Sequence, residues 1–266
     1  MMNKKNILFR IFRKFFPQTA AAYLKYKDKG KLPVFPHNKG FCTVCEQHVT
    51  FYEFAPWLRD NYKCSNCNSI PRNRALVNAL NIFYPNWKNS TLHESSPGGP
   101  LSFYLSKNAK GYSSSHFFED IPRGAHSGDF RSEDLSALTF EDESLDIFIT
   151  SDVFEHVMEP EKAFKEIARV LKKGGAHIFT MPWYPKYEKS IQRAKIENNE
   201  IIFLLEPIYH GNPISEKGSL VTYDWGRDFV NYIYKSSGLY TTIYLVKDRS
   251  LGLEAEFLEV FISVKE

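Results

Sequence analysis

The chain has 266 residues, enough for one large domain with a small one attached, and its net charge of +3 is too small to indicate nucleic-acid binding. Aromatic residues make up 15% of the sequence, which argues against a disordered chain. No apolar run is long enough to cross a bilayer, and no small-residue cleavage site follows the first apolar stretch. We therefore expect a folded protein of the cytoplasm without a signal peptide.

Residues 4–16 predict a basic amphipathic helix. Its apolar stripe contains Ile7, Leu8, Ile11, Phe12, Phe15 and Phe16, and its opposite side contains Arg10, Arg13 and Lys14. One interpretation is a peripheral membrane contact at the inner face of the membrane. The other is that the stripe packs on the main domain or on a second copy of the chain in a homo-oligomer. Residues 17–40 are rich in proline and glycine and predict a linker, so residues 1–40 are expected to be helix and linker.

The four cysteines form two Cys-x-x-Cys pairs, Cys42 with Cys45 and Cys64 with Cys67, and no cysteine is left over. Two such pairs separated by 18 residues are typical of a zinc ribbon, expected here at residues 41–70. A closed four-sulfur site has no position for a catalytic water, so the predicted role is structural. Thiolates would also suit iron, and the paired spacing favours a reducing compartment.

A helix is predicted after the second cysteine pair, with Pro71 in its first turn. Its apolar face consists of Ala75, Leu76, Ala79, Leu80 and Phe83. Arg72 and Arg74 are unusual near a helix start, where cations are disfavoured. They could contact an anionic group such as a phosphate, or they could be solvated or paired with acidic side chains.

Residues 145–182 predict one β–α–β unit. Residues 145–150 are an apolar run typical of a buried parallel strand, and Pro160 suits the first turn of the helix that follows. Gly174 and Gly175 are expected to end that helix, and residues 177–181 form the next strand. Further on, a helix at 229–237 and strands at 239–246 and 256–264 are expected, the two strands as an antiparallel pair.

The sequence of this unit resembles that of a known protein family. Residues 152–157 (DVFEHV) and 169–175 (RVLKKGG) closely resemble the segment from the fourth to the fifth strand of class I S-adenosylmethionine (SAM) dependent methyltransferases of the methyltransferase-11 type. The resemblance covers roughly residues 90–266. It implies a Rossmann-like three-layer α/β sandwich with a mostly parallel seven-stranded sheet, in a domain expected at residues 71–266.

The resemblance also implies a binding turn for the methionine part of SAM after a first strand at residues 91–94. Glu94, Pro97 and Gly98 match the family pattern. Glycine is used in this turn because the lack of a side chain lets the backbone approach the cofactor. Ser96 and Pro100 stand where the family usually has glycine.

Three further places in the sequence correspond to cofactor contacts of the family. His116 stands where an acidic residue usually binds the ribose hydroxyls. Asp134 would accept the adenine amine, and Leu135 would present its backbone N–H. Ser151 and Asp152 follow the fourth strand and would face the methionine moiety and the acceptor.

Residues 183–227 are far longer than a usual connection and predict an insertion that shapes the acceptor site. SAM carries its own leaving group, so a base is needed only if the acceptor must lose a proton. His156 and His210 are the candidate catalytic bases. Asn212 and Asp224 lie at plausible turns of the insertion, where turn formation alone would also explain them.

The sequence therefore predicts a SAM-dependent methyltransferase for a small or glycan-linked acceptor, such as a nucleotide-activated or phosphate-bearing sugar intermediate of surface-glycan biosynthesis. An RNA methyltransferase is less favoured, because no cluster of basic residues stands outside the first helix. The alternative is a catalytically silent binding or assembly protein on a methyltransferase scaffold.

Overall fold

A computed structural model of the protein describes residues 35–198, 200–212 and 215–266. The amphipathic helix predicted at residues 4–16 lies outside the described residues. Among the described residues, no helix combines the length and the apolar character needed to span a bilayer.

The first part of the chain forms a small antiparallel sheet around the cysteine pairs. Its elements are β1 (His37–Cys42), β2 (Gln47–Glu53), the short helix α1 (Leu58–Asn61) and β3 (Tyr62–Cys64). Residues 37–40, which the sequence placed in a linker, pair with β2 instead. Residues 37–40 (HNKG) contain no alternation of apolar and polar side chains, which is why no strand was predicted there. Gly40 lies so close to a later turn that a Cβ atom on it would be 2.1 Å from the carbonyl oxygen of Ser250.

The main sheet confirms the predicted Rossmann-like, mostly parallel architecture. Its strands are β4 (Thr91–Ser95), β5 (Gly111–His116), β6 (His126–Ser127), β7 (Phe130–Ser132), β8 (Leu145–Ser151), β9 (Leu171–Thr180), β16 (Tyr240–Tyr244) and β17 (Val260–Val264). In the described part of the chain their order is β16-β17-β9-β8-β4-β5-β7-β6. Seven strands were expected, and the eighth is the two-residue β6, which pairs antiparallel with β7. As expected, the last two strands, β16 and β17, are antiparallel to each other.

Helices cover both faces of the main sheet. They are α2 (Pro71–Phe83), α3 (Gly99–Asn108), α4 (Pro160–Val170) and α5 (Phe229–Ser237). Ile147 and Ile149 of β8 pack into the core with α2 and α3, whereas Phe148 packs into the core with α4 and α5. This alternation follows from the two-residue period of a strand. Phe83 was predicted on the buried face of α2, but it is 42% exposed and contacts the ring of Tyr244 edge-on.

The connection from α4 to β9 differs from the prediction. The helix ends at Val170, and Leu171 already pairs with β8, so the glycine pair lies within the strand rather than at a helix end. The backbone of Gly174 is left-handed, with a φ of 75°. A Cβ atom on Gly175 would be 2.8 Å from the carbonyl oxygen of Asp146. The two glycines therefore allow the chain to bulge out and re-enter the sheet.

The small sheet shares its core with the main domain. Phe51 and Tyr62 pack in the same buried cluster as Leu76 of α2. Arg74 is fully buried; its guanidinium lies 4.7 Å from the Phe51 ring and donates to the carbonyl oxygens of Tyr62 (2.9 Å) and Gly252 (2.8 Å). Burial lowers the pKa of Arg74 to about 10. Arg74 thus joins the two parts of the chain and is not available to an external anion.

The insertion at 183–227 folds, in its described part, into short antiparallel strand pairs. They are β10 (Ile191–Gln192) with β15 (Tyr223–Asp224), β11 (Ala194–Glu197) with β12 (Glu200–Phe203), and β13 (Tyr209–Asn212) with β14 (Ser215–Leu220). The backbone N–H of Thr222 donates to the carbonyl oxygen of Glu155 at 2.7 Å, and the Trp225 indole donates to that of Phe154 at 3.1 Å. The insertion is therefore fastened onto the loop that follows β8.

Candidate active site and cysteine cluster

Glu94 is the penultimate residue of β4 and is only 2% exposed. One carboxylate oxygen accepts the Ser102 hydroxyl at 2.8 Å, and the other accepts the Tyr112 hydroxyl at 2.7 Å. Burial raises the pKa of Glu94 to about 7, although both hydroxyl groups act in the opposite direction. Glu94 thus ties the predicted cofactor turn to α3 and β5 through internal hydrogen bonds.

The turn after Glu94 keeps a left-handed conformation despite its unusual sequence. Ser96, which replaces a glycine of the family pattern, has a φ of 57°, and Gly99 has a φ of 68°. Pro97 is buried, whereas Gly98 is exposed and donates its N–H to the Ser102 hydroxyl at 2.6 Å. A Cβ atom on Gly98 would meet nothing within 4 Å, so the space beside this glycine is open.

The residues predicted to bind ribose and adenine follow the neighbouring strands. His116 ends β5, is 4% exposed and lies edge-on to the Phe130 ring at 4.7 Å; burial lowers its pKa. One carboxylate oxygen of Asp134 accepts the backbone N–H (2.8 Å) and the hydroxyl (2.7 Å) of Ser136. Leu135 is buried beside it. Asp134 therefore shapes its own turn through one of its two carboxylate oxygens.

Glu133 was missed by the sequence reasoning. It is 3% exposed, pairs with Arg131 and accepts the backbone N–H of Thr139 at 2.9 Å. These contacts stabilise the turn at residues 134–135. A signal was present, because Arg131 and Glu133 stand two residues apart and therefore on one side of an extended segment.

Asp152 is the centre of a largely buried ion-pair cluster. Its carboxylate accepts Arg59 at 2.6 Å and Thr180 at 3.1 Å, and it lies 3.1 Å from Nε of Arg72. Burial opposes ionisation, but the two guanidinium groups hold the pKa of Asp152 below its ordinary value. Arg72 is therefore paired with acidic side chains, which settles one alternative left open by the sequence. Ser151 lies beside this cluster, with its hydroxyl 3.3 Å from that of Thr180.

The two candidate catalytic histidines lie together. The rings of His156 and His210 are 5.0 Å apart and nearly perpendicular. His156 Nδ1 is 2.8 Å from the carbonyl oxygen of Leu220, and its Nε2 is 3.7 Å from Oε1 of Glu155. His210 Nδ1 is 4.0 Å from the same oxygen. Burial lowers the pKa of His156 to about 4 and raises that of Glu155 to about 8. Together, the two imidazole rings and the Glu155 carboxyl group could accept a proton or bind a cation.

The remaining polar residues of the insertion differ in their surroundings. Asp224 forms an ion pair with Arg193 at 2.8 Å, and both side chains are largely buried. Arg193 also donates to the carbonyl oxygen of Glu206 at 2.8 Å. Asp224 therefore stabilises the insertion. The backbone of Asn212 pairs with that of Ser215.

The four cysteines converge on one point. The Sγ atoms of Cys42 and Cys67 are 3.7 Å apart, those of Cys45 and Cys64 are 3.8 Å apart, and all four lie within 4.8 Å of one another. These distances exclude disulfides, whose sulfurs are about 2.05 Å apart. They match the edge of a tetrahedron of thiolates about 2.3 Å from a central ion, which is about 3.8 Å.

Backbone turns build the cysteine cluster. Glu46 and Asn68 each follow a cysteine pair, and both have left-handed backbones, with φ of 54° and 60°. Their N–H groups donate to the carbonyl oxygens of Cys42 (2.8 Å) and Cys64 (3.1 Å). Burial raises the pKa of Cys45 to about 11. The four sulfurs would therefore all be charged only in the presence of a cation.

Comparisons with known proteins find similarity to methyltransferases. Residues 105–179 match the family model described as a methyltransferase domain. No curated protein matches the sequence. Among solved structures, a SAM-dependent methyltransferase from Mesorhizobium loti is 13% identical, with a TM-score of 0.46; the alignment covers 72% of this chain and 98% of that chain.

Two further structures show a similar level of likeness. YcgJ from Bacillus subtilis is 12% identical over 72% of this chain and 97% of that chain, with a TM-score of 0.46. DesVI from Streptomyces venezuelae is 12% identical over 73% of this chain and 92% of that chain, also with a TM-score of 0.46. The chain is thus similar to a methyltransferase domain at residues 105–179, a segment that includes strands of the mostly parallel sheet.

Proposed function

We propose that this chain transfers the methyl group of SAM to a small or glycan-linked acceptor, such as a nucleotide-activated or phosphate-bearing sugar intermediate of surface-glycan biosynthesis. The observation that carries the proposal is the insertion, which is fastened by Thr222 and Trp225 to the loop after β8. In parallel α/β sheets, ligands bind at the carboxyl ends of the strands. An insertion fixed over that edge suits an enclosed acceptor better than a long polymer.

The distribution of charge supports a small acceptor over RNA. The arginines beside the loop are neutralised internally: Arg59 and Arg72 face Asp152, and Arg193 faces Asp224. Binding of an RNA backbone requires cations that are free to replace its counterions. A small acceptor with one or two phosphate groups does not need such an extended basic surface.

The cofactor is proposed to lie along the carboxyl edge of β4, β5 and β8. The proposed cofactor contacts are Glu94, Pro97, Gly98, His116, Asp134, Leu135, Ser151 and the backbone of Asp152. The open space beside Gly98 supports this placement, since a side chain there would occupy room that the methionine moiety needs. The left-handed Ser96 supports it further, because the turn geometry survives without the usual glycine.

Labelled SAM tests the proposed reaction. Purified protein is incubated with labelled SAM and a panel of nucleotide sugars and lipid-linked sugar phosphates, and the products are analysed by mass spectrometry. We expect label in one member of the panel. Label that appears only in an RNA sample would refute the small-acceptor proposal. The variant Gly98→Leu should fold, because a Cβ atom at this position meets no protein atom within 4 Å. It should lose SAM binding in calorimetry, because the leucine side chain would occupy the space proposed for the methionine moiety. Ser106→Leu, at an exposed position of α3, is the matched control and should bind normally.

A second candidate function is a catalytically silent assembly protein on the same scaffold. Ser96 in place of glycine and His116 in place of an acid favour it, because both weaken conventional SAM recognition. Calorimetry with SAM and with S-adenosylhomocysteine separates the two functions. Absence of heat and of a thermal shift at millimolar cofactor would support the silent protein and would rule out methyl transfer.

The cysteine cluster is proposed to hold one structural zinc ion. The sulfur distances and the four-thiolate donor set support it, and the closed set leaves no position for a reacting water. Iron would fit the same sulfurs. Elemental analysis of protein purified without chelator should find one zinc per chain; iron would change the identity of the metal, and the absence of both would refute the site.

Residues 4–16 are proposed to contact an anionic membrane surface at its cytoplasmic face. Co-sedimentation of the full chain with anionic vesicles tests this, and Phe12→Asp should weaken it. Concentration-dependent self-association without vesicle binding would instead support packing of this helix in a homo-oligomer.

A further inference from the structure

Glu155 is a buried carboxyl group whose burial its immediate surroundings do not explain. Its side chain is 1% exposed, and within the described residues neither carboxylate oxygen has a hydrogen-bond partner. Burial of a carboxyl group without a partner costs several kcal/mol whether it is protonated or charged. Nearly all buried polar groups in proteins are satisfied, so this one requires an explanation such as a bound ion.

His156 is arranged to offer a lone pair toward this carboxylate. Its Nδ1 is 2.8 Å from the carbonyl oxygen of Leu220, and a carbonyl oxygen can only accept, so Nδ1 must carry the proton. In the neutral ring Nε2 then carries a lone pair, and it faces Oε1 of Glu155 at 3.7 Å, a distance too long for a hydrogen bond. Metal-binding histidines typically have this backbone anchor on the opposite nitrogen.

His210 completes the group from the other side. It lies on β13 of the insertion, and its Nδ1 is 4.0 Å from Oε1 of Glu155. The three ligand atoms lie within 4.8 Å of one another. Ligands about 2.1 Å from one cation stand about 3.0 to 3.4 Å apart, so a modest contraction is required. His210 is 43% exposed, and rotation of its side chain can provide it.

Asp152 is not available as a fourth ligand. Its oxygens are occupied by Arg59, Arg72 and Thr180. The group therefore offers one carboxylate and two imidazole nitrogens, and this mixture suits Mn²⁺, Fe²⁺, Co²⁺ or Zn²⁺ better than Mg²⁺ or Ca²⁺. Three protein ligands leave coordination positions open, as in catalytic rather than structural sites.

We propose that Glu155, His156 and His210 bind a divalent transition-metal cation that is separate from the cysteine cluster. The chemical consequence, which rests on the proposed function, is that the cation binds the acceptor through a hydroxyl group. A bound cation lowers the pKa of that hydroxyl, and its proton passes to solvent water. The oxygen then forms a bond to the methyl carbon while the S–CH₃ bond of SAM breaks, and that electron pair remains on sulfur as S-adenosylhomocysteine leaves.

Mn²⁺ binding tests the site without reference to activity. Protein whose cysteine cluster is loaded with zinc is titrated with Mn²⁺, and free Mn²⁺ is followed by electron paramagnetic resonance. We expect one saturable Mn²⁺ per chain, and affinity weakened by about 100-fold or more in Glu155→Gln and in His210→Ala. His126→Ala, an exposed histidine on β6, is the matched control and should bind like the wild type.

Each result decides one part of the inference. No saturable Mn²⁺ binding up to millimolar concentration, or equal binding by wild type and His210→Ala, would refute the site. Zinc content of every variant checks that the cysteine cluster and the fold are intact. Full methyl transfer after mild chelation that removes Mn²⁺ but leaves the cysteine-bound zinc would refute the catalytic part alone. No transfer to any acceptor would contradict the proposed function but would leave the metal site standing.

Discussion

Replacement of Glu94 by glutamine should change how the stability of the domain depends on pH. In the unfolded chain this carboxyl group titrates near 4.5, whereas burial raises its pKa to about 7 in the folded protein. Below pH 4.5 Glu94 is protonated in both the folded and the unfolded state, so it does not make the stability depend on pH. Between pH 4.5 and 7 the folded state holds a proton that the unfolded state has lost, so stability falls as pH rises.

The size of the effect follows from the shift. The rise of the Glu94 pKa from 4.5 to about 7 corresponds to roughly 3 kcal/mol of stability, which the wild type loses between pH 4.5 and 7 and which does not change further above pH 7. Glu94→Gln cannot ionise and should not show this loss. The amide can accept only one of the two hydroxyl groups well, so the variant also carries a pH-independent cost of about 1 kcal/mol. It should be less stable than the wild type at pH 4.5 and more stable at pH 8.

Urea denaturation of cofactor-free protein at several pH values measures this difference. The buried histidines titrate in both proteins, so their contribution cancels when one curve is subtracted from the other. Ser102→Ala is the control, because it removes one donor to Glu94 but keeps the ionisable group, and it should retain the wild-type pH dependence or steepen it. Parallel stability curves for wild type and Glu94→Gln would show that Glu94 does not titrate as argued.

Three other substitutions test how the fold is held together. Cys64→Ser should lower the midpoint of a single thermal transition, because the ribbon shares its core with the main domain; a separate early transition in calorimetry would contradict this. Asp152→Asn should cost about 3 kcal/mol in urea denaturation, since it removes the counter-charge of the buried Arg59, whereas Arg72 keeps its ion pair with Asp60; a cost near zero would oppose that reasoning. Gly40→Ala should cost about 1 to 3 kcal/mol, because its Cβ would meet the carbonyl of Ser250 at 2.1 Å, whereas Gly98→Ala should be close to neutral.

Local patterns predicted much of this fold. The apolar run of β8 and the periodicity of α4 are properties of short segments. The strand β8 was placed within one residue, and α4 has Pro160 in its first turn as predicted but ends at Val170, before the predicted glycine pair. The spacing of the cysteine pairs likewise predicted that their sulfurs would converge. Where the outcome depends on pairing with another strand rather than on a local pattern, the predictions failed. Residues 37–40 became a strand through pairing with β2, and the bulge at Gly174 depends on the neighbouring strand β8.

The candidate site shows the same division. Asp152 was selected from its motif, but its partner Arg59 stands 93 residues earlier on a four-residue helix, and nothing local marks it. His156 and His210 were each selected as possible bases from the sequence, but their proximity was not foreseen. It depends on the insertion strand β13, which brings His210 to within 4.0 Å of Glu155.

The loop at residues 151–157 is positioned from two sides by segments outside the parallel sheet. Arg59 and Arg72 hold Asp152 from the N-terminal side, and Thr222 holds the backbone of Glu155 from the insertion. Asp152 has a left-handed φ of 55°, a conformation that costs a non-glycine residue about 1 to 2 kcal/mol. The ion pairs offset that cost and fix where the chain leaves β8. Because Glu155 follows only three residues later, a change at Asp152 should also displace the carboxylate that faces the two histidines.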